Sequence, residues 1–211
     1  MTRFETAAQP CAGLYMLLAP ALPIKPQHRR EVLRNGIRHL LTTWDCRSAP
    51  DTLTGRRICL RPDGSRAAAI SVSYSGRLAI VFVGTDEAEV GVDIEICPER
   101  RISKFEQILR AVTDKSCENP MSCFVRAEAW SKAVGDGISA RPYHYLQGSV
   151  GPGWRPDGQF ISDIDLSKEL PREISLEARV AVSTCAKTTV SPKIHALKIL
   201  GPEGQLDCSH N

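Results

Sequence analysis

The chain has 211 residues, 42% of them hydrophobic and 24% charged. That is apolar enough for one large domain or two small halves and excludes a disordered chain. A net charge of +3 and a pI of about 8.4 are too mild to point to a nucleic-acid binder, and no run reaches the roughly 20 apolar residues of a membrane span.

In chain order, residues 12–18 are predicted as a buried first strand. The alternative there is a short signal sequence, since Arg3 precedes the apolar run and Ala19-Pro20-Ala21 has cleavage-site character. Residues 27–43 are predicted as a helix with an apolar stripe of Leu33, Ile37, Leu40 and Leu41. This helix and its entry gather Lys25, His28, Arg29, Arg30, Arg34 and Arg38, as either a solvated face or a counter-charge for an anionic ligand. Residues 46–56 read as a loop. Strands are expected at 57–60, 68–74 and 78–83, with turns at Asp63-Gly64 and Ser75-Gly76. A further strand is expected at 90–96, helices at 102–113 and 122–134, and a loop at 114–121. Gly135-Asp136-Gly137 is expected as a helix C-cap. The tail reads as strands at 159–166, 178–184 and 193–200, with a loop flanked by Pro152 and Pro156.

Eight cysteines are many for this length, but none shows C-x-x-C spacing and no nearby histidine completes a zinc site. Cys11, Cys59 and Cys185 sit in apolar runs, so reduced thiols in a cytoplasmic protein are the expectation.

Two stretches carry chemistry. In Gly91-Val92-Asp93-Ile94-Glu95 the two carboxylates are two apart on a strand and share a face. In the helix running through Arg126-Ala127-Glu128-Ala129-Trp130-Ser131-Lys132, Glu128 and Lys132 are neighbours at i and i+4. The plain readings are an exposed strand face and a surface ion pair. Together, three carboxylates suit a hard divalent cation such as Mg2+, and a lysine suits a phosphate. Trp130 is expected in the core.

These blocks, with Ile70-Ser71-Val72-Ser73-Tyr74-Ser75-Gly76-Arg77 upstream, resemble in order and rough spacing the 4'-phosphopantetheinyl transferases. The resemblance covers residues 56–140 best. It implies an α+β fold of the larger, Sfp-like type: two similar α/β halves about a pseudo-two-fold axis, here 1–88 and 89–211, with a ligand cleft between them. It implies a monomer that uses coenzyme A and Mg2+ to prime a serine of an apo acyl or peptidyl carrier protein. Asp93, Glu95 and Glu128 would hold the metal. Glu128 would serve as general base, and Lys132 would steady the departing phosphates. Arg29, Arg30, Arg56, Arg57, Ser73, Tyr74, Ser75, Arg77 and Lys132 are the candidate coenzyme contacts.

The chain departs from the family pattern in the gap from Asp93 to Glu128 (128 − 93 = 35), shorter than is usual and trimming the segment that in relatives helps dock the carrier protein, and at two residues. Tyr74 stands where the family has a histidine, with Arg77, Arg56 or Arg57 as possible sources of the missing charge. Ala127 stands where the family has a lysine, and Arg126 beside it lies on another helix face. A non-catalytic relative that binds coenzyme A or a carrier protein is the alternative. An unrelated metal-dependent phosphotransfer or hydrolase domain is a third.

Overall fold

Alternating apolar residues buried on both sides dictate most of the strands. A computed structural model describes residues 10–20, 25–50, 56–85, 88–112, 117–149, 151–187 and 192–206. The first half runs β1 (Gly13–Leu18), α1 (Pro26–Thr42), β2 (Arg47–Pro50), β3 (Arg57–Leu60), β4 (Arg66–Ser75) and β5 (Leu78–Gly84). The second runs β6 (Val90–Cys97), α2 (Ile102–Val112), α3 (Pro120–Val134), α4 (Pro142–Gly148), β7 (Gly153–Trp154), β8 (Phe160–Asp163), α5 (Arg172–Glu177) and β9 (Arg179–Ala186). The short β10 (Lys198–Ile199) follows.

The strands form a six-stranded sheet in the order β10-β1-β5-β4-β3-β2 and a four-stranded sheet in the order β6-β9-β8-β7. In each, the first strand of the half is antiparallel to the last. Thus β1-β5-β4-β3 and β6-β9-β8-β7 share one strand order, each with a helix after its first strand. A boundary at 88/89 falls between β5 and β6, but β10 returns from the far end of the chain to pair in parallel with β1.

Three interfaces stack the molecule in four layers. Tyr15, Leu17, Ile70, Val81 and Val83 of the larger sheet pack on Val32, Leu33, Ile37, Leu40 and Leu41 of α1. The opposite face of that sheet, with Leu14, Met16, Ile80 and Phe82, meets Val92 and Ile94 of β6 and Val182 of β9. The outer face of the smaller sheet, with Ile161 and Cys185, is covered by Ala127, Ala129, Trp130 and Ala133 of α3. The period-2 alternation of β6 explains the last two interfaces: Val92 and Ile94 face one way, Gly91, Asp93 and Glu95 the other. No helix among the described residues is long and apolar enough to cross a membrane.

Several expectations need correction. Part of the predicted 46–56 loop is β2, an edge strand with no buried residue and no apolar alternation to betray it; residues 51–55 lie outside the described residues. Pro120, placed in a loop, opens α3 as its first residue, where a missing N–H costs nothing. The loop around Pro152 and Pro156 contains β7, which pairs with Phe160 and Ile161. The tail holds two short helices, α4 and α5, too brief to show a periodic stripe. The third tail strand shrinks to β10. Cys117 and Cys123, expected as thiols, form a disulfide with Cα atoms 6.8 Å apart. The Asn119–Pro120 helix entry folds Cys117 back onto the first turn of α3, so a separation of six residues closes. Among the described residues Cys46, Cys59, Cys97 and Cys185 are free thiols.

Candidate functional site

Helix α3 is fixed at both ends by local sequence. The Asn119 side chain caps the start by accepting from the Ser122 amide at 3.2 Å. Gly135 ends it with φ 97°, a left-handed conformation natural to glycine. The helix lies unusually close to β6. A Cβ on Gly91 would stand 1.8 Å from the Ala129 carbonyl oxygen and 2.7 Å from the Ala133 nitrogen. Only a glycine opposite two alanines permits this approach, and it brings the Glu128–Lys132 stretch over Asp93 and Glu95.

Asp93 is the centre of the resulting cluster and is 5% exposed. Lys132 Nζ lies 2.6 Å from Asp93 Oδ1 and donates also to the Val92 carbonyl at 3.2 Å. The lysine therefore pairs across to β6 rather than along its own helix with Glu128. Ser73 Oγ donates to the same Asp93 Oδ1 at 2.6 Å, and Ser75 Oγ donates to Glu95 Oε2 at 3.2 Å. Asp93 Oδ2 is buried and has no hydrogen-bond partner.

Glu95 and Glu128 are half-buried. Burial pushes the Glu95 carboxyl above its usual range, and the Asp93 charge adds to this against Ser75 and Lys132. Glu128 is raised likewise, first by burial, then by Asp93, with Glu95 adding and Lys132 opposing. Asp93, Glu95, Glu128 and Lys132 thus share one electrostatic site, assembled from β6 and α3. Among the described residues no group of three or more His, Cys, Asp or Glu side chains is placed to hold a metal ion. Carboxylates are the donor type a small divalent cation takes, and Asp93 contributes one buried oxygen with no hydrogen-bond partner.

A second feature lies on the other face of β4. Tyr74 points toward α1 and lines a cavity of about 820 Å³ with Arg34, Arg38, Arg47, Arg57 and Ser48. The Arg30 guanidinium sits 5.5 Å from the Tyr74 ring centre. Burial pushes the Tyr74 hydroxyl up, while Arg34, Arg57, Arg30 and Arg38 pull the other way. The positive charge around Tyr74 therefore comes from α1 and β3.

The other predicted contacts are placed elsewhere. Arg77 donates through Nε and Nη2 to the Ala19 carbonyl at 3.0 and 2.9 Å, tying the β4–β5 turn to the end of β1. Arg56 pairs with Glu89 at 2.9 Å and donates to the Val134 carbonyl, bridging the two halves. Arg57 holds Ser48 through two hydrogen bonds. Arg29 is half-buried on α1. Ala127 is fully buried in the packing of α3 on the sheet, so a charge at that position would be desolvated. Arg126 is buried and paired with Asp163 rather than with a carboxylate of β6. Trp130 is in the core, as expected, with its Nε1 donating to Asp157 Oδ2 at 2.7 Å. Sequence reasoning missed Arg47, hidden in the segment read as a loop. It also missed the alternation of Ser71, Ser73 and Ser75 as a polar stripe aimed at β6; the stripe is visible opposite Ile70, Val72 and Tyr74.

No protein-family model matches the chain, and no curated protein matches it.

Proposed function

We propose that the chain is a 4'-phosphopantetheinyl transferase, moving the phosphopantetheine arm of coenzyme A to a serine of an apo acyl or peptidyl carrier protein. The observation that carries this reading is the convergence of Asp93, Glu95, Glu128 and Lys132 on one site from a strand and a helix far apart in sequence. The repeated strand order of the two halves supports a pseudo-two-fold arrangement with the coenzyme lodged between them.

In the reaction the carrier serine oxygen attacks the β-phosphorus of coenzyme A, and the pyrophosphate bond to the adenosine side breaks. Adenosine 3',5'-bisphosphate leaves. Glu128, made more basic by burial, accepts the serine proton. Lys132 holds Asp93 in the resting site and faces the growing charge on the leaving phosphate. Asp93, Glu95 and Glu128 would hold Mg2+, which neutralises pyrophosphate charge when bound. The arginine-lined cavity beside Tyr74 supplies four guanidinium groups for the bisphosphate end of the coenzyme. Their charge takes the place of the family's histidine.

The test is incubation of apo carrier proteins with coenzyme A and Mg2+, read by intact mass. Addition of one phosphopantetheine group to the carrier serine is expected; several carriers left unmodified would refute the activity. One observation favours a second reading. Lys132 already neutralises Asp93, so α3 and β6 are clamped without a cation, as suits a non-catalytic binder of coenzyme A. Calorimetric binding of coenzyme A with no transfer to any carrier would select it.

A further inference from the structure

β6 is the outer strand of its sheet, so one row of its N–H groups has no strand partner. Three serines alternating along β4 satisfy that row. The Val92 amide donates to Ser71 Oγ at 3.0 Å, the Ile94 amide to Ser73 Oγ at 3.4 Å and the Ile96 amide to Ser75 Oγ at 2.8 Å. A hydroxyl accepts and donates at once. Ser73 spends its proton on Asp93 Oδ1 and Ser75 spends its own on Glu95 Oε2. The register is therefore repeated: each of these two serines takes a backbone N–H of β6 and gives its proton to the carboxylate one residue earlier.

The consequence is sharpest at Asp93. Ser73 and Lys132 both approach Oδ1, at 2.6 Å each. Oδ2 remains buried with no partner. One oxygen is anchored and the other has no partner. Ser73 itself is 5% exposed, and its only proton is committed, which leaves it nothing to donate to a coenzyme phosphate.

We propose that Ser73 is a positioning residue that orients Asp93 so that Oδ2 faces the cation, and that Ser75 does the same for Glu95. This rests on the transferase reading of the site. It differs from the coenzyme contact that family resemblance implies for Ser73 and Ser75. Outer partners of metal-binding side chains typically tune metal affinity by about 10–100-fold.

The test measures two bindings on the full chain. Mn2+ affinity is followed by electron paramagnetic resonance, and adenosine 3',5'-bisphosphate affinity by calorimetry without metal. Ser73→Ala is expected to weaken Mn2+ binding by about tenfold and leave nucleotide affinity unchanged, with Ser73→Thr restoring Mn2+ binding. Weakened nucleotide binding with unaltered Mn2+ affinity overturns the proposal and makes Ser73 a coenzyme contact. Loss of both that Ser73→Thr fails to rescue assigns it a structural role only and also overturns it. Should Ser73→Ala not fold, Ser75→Ala, at the longer 3.2 Å contact, must show a smaller loss confined to Mn2+; unaltered Mn2+ affinity there overturns the proposal. Wild-type protein that binds no Mn2+ sinks the metal-site reading itself. Wild-type binding that Ser73→Ala does not alter sinks only the positioning role.

Discussion

Substituting Gly91→Ala tests the contact on which the site is built. The added methyl would sit 1.8 Å from the Ala129 carbonyl oxygen, against about 3.4 Å for ordinary contact. The obstacle is helix backbone rather than a side-chain tip, so no rotamer change relieves it. Helix α3 has to lift from β6 by more than 1 Å, or β6 has to shift on β9. Overpacking of this kind costs about 1–3 kcal/mol, and the upper half of that range applies because the helix also covers Ile161 and Cys185 on the same face. At about 2–4 °C per kcal/mol for a chain of this size, a fall in Tm of roughly 5–10 °C follows. Lifting α3 also stretches the 2.6 Å contact from Lys132 to Asp93, so Mn2+ affinity falls with stability. Gly151→Ala is the control, since a Cβ there meets nothing within 4 Å. Urea unfolding with both variants decides. Gly91→Ala as stable as Gly151→Ala would refute the close approach of helix and strand and, with it, the placement of Glu128 and Lys132 over Asp93.

Lys132→Met leaves Asp93 buried and uncompensated; after discount for the part-exposed lysine, a loss of about 2 kcal/mol in urea unfolding at pH 7 is expected, and no loss would make the pair irrelevant to stability. Glu128 titrates higher in the folded chain than the ordinary 4.5. Between those two values the folded state holds the proton more tightly, so its contribution falls as pH rises through the folded pKa. Glu128→Gln should then stabilise the protein at pH 7 and confer no advantage below pH 4.5, whereas a gain independent of pH would contradict a charge effect. Arg38→Ala should weaken adenosine 3',5'-bisphosphate binding by about tenfold, roughly 1.4 kcal/mol, and Arg77→Ala, whose guanidinium is spent on the Ala19 carbonyl, should not; calorimetry separates the two. Equal losses would move the anion site away from the cavity beside Tyr74.

How much of this was legible depends on the range over which each feature is encoded. The shared face of Asp93 and Glu95 follows from the period of a strand, and the Glu128–Lys132 stretch follows from the period of a helix; both needed only local spacing. The α1 stripe was legible for the same reason, and each of its four predicted residues is buried. β2 was not legible, because an edge strand without apolar alternation carries no local signal, and Arg47 was lost with it. The partner of Lys132 was equally hidden. Its i−4 neighbour Glu128 is the obvious choice on the helix surface, yet Asp93 wins because the glycine at 91 lets the strand in closer than the helix's own neighbouring side chain. The same glycine, two residues before Asp93 and on the same face, was read as part of a motif rather than as a packing requirement. Opposite it, Ala129 and Ala133 form a matching pair of small residues one helical turn apart. A strand glycine facing such an i,i+4 pair is a tertiary signal written in local letters, and it places the acidic cluster more directly than the charges do.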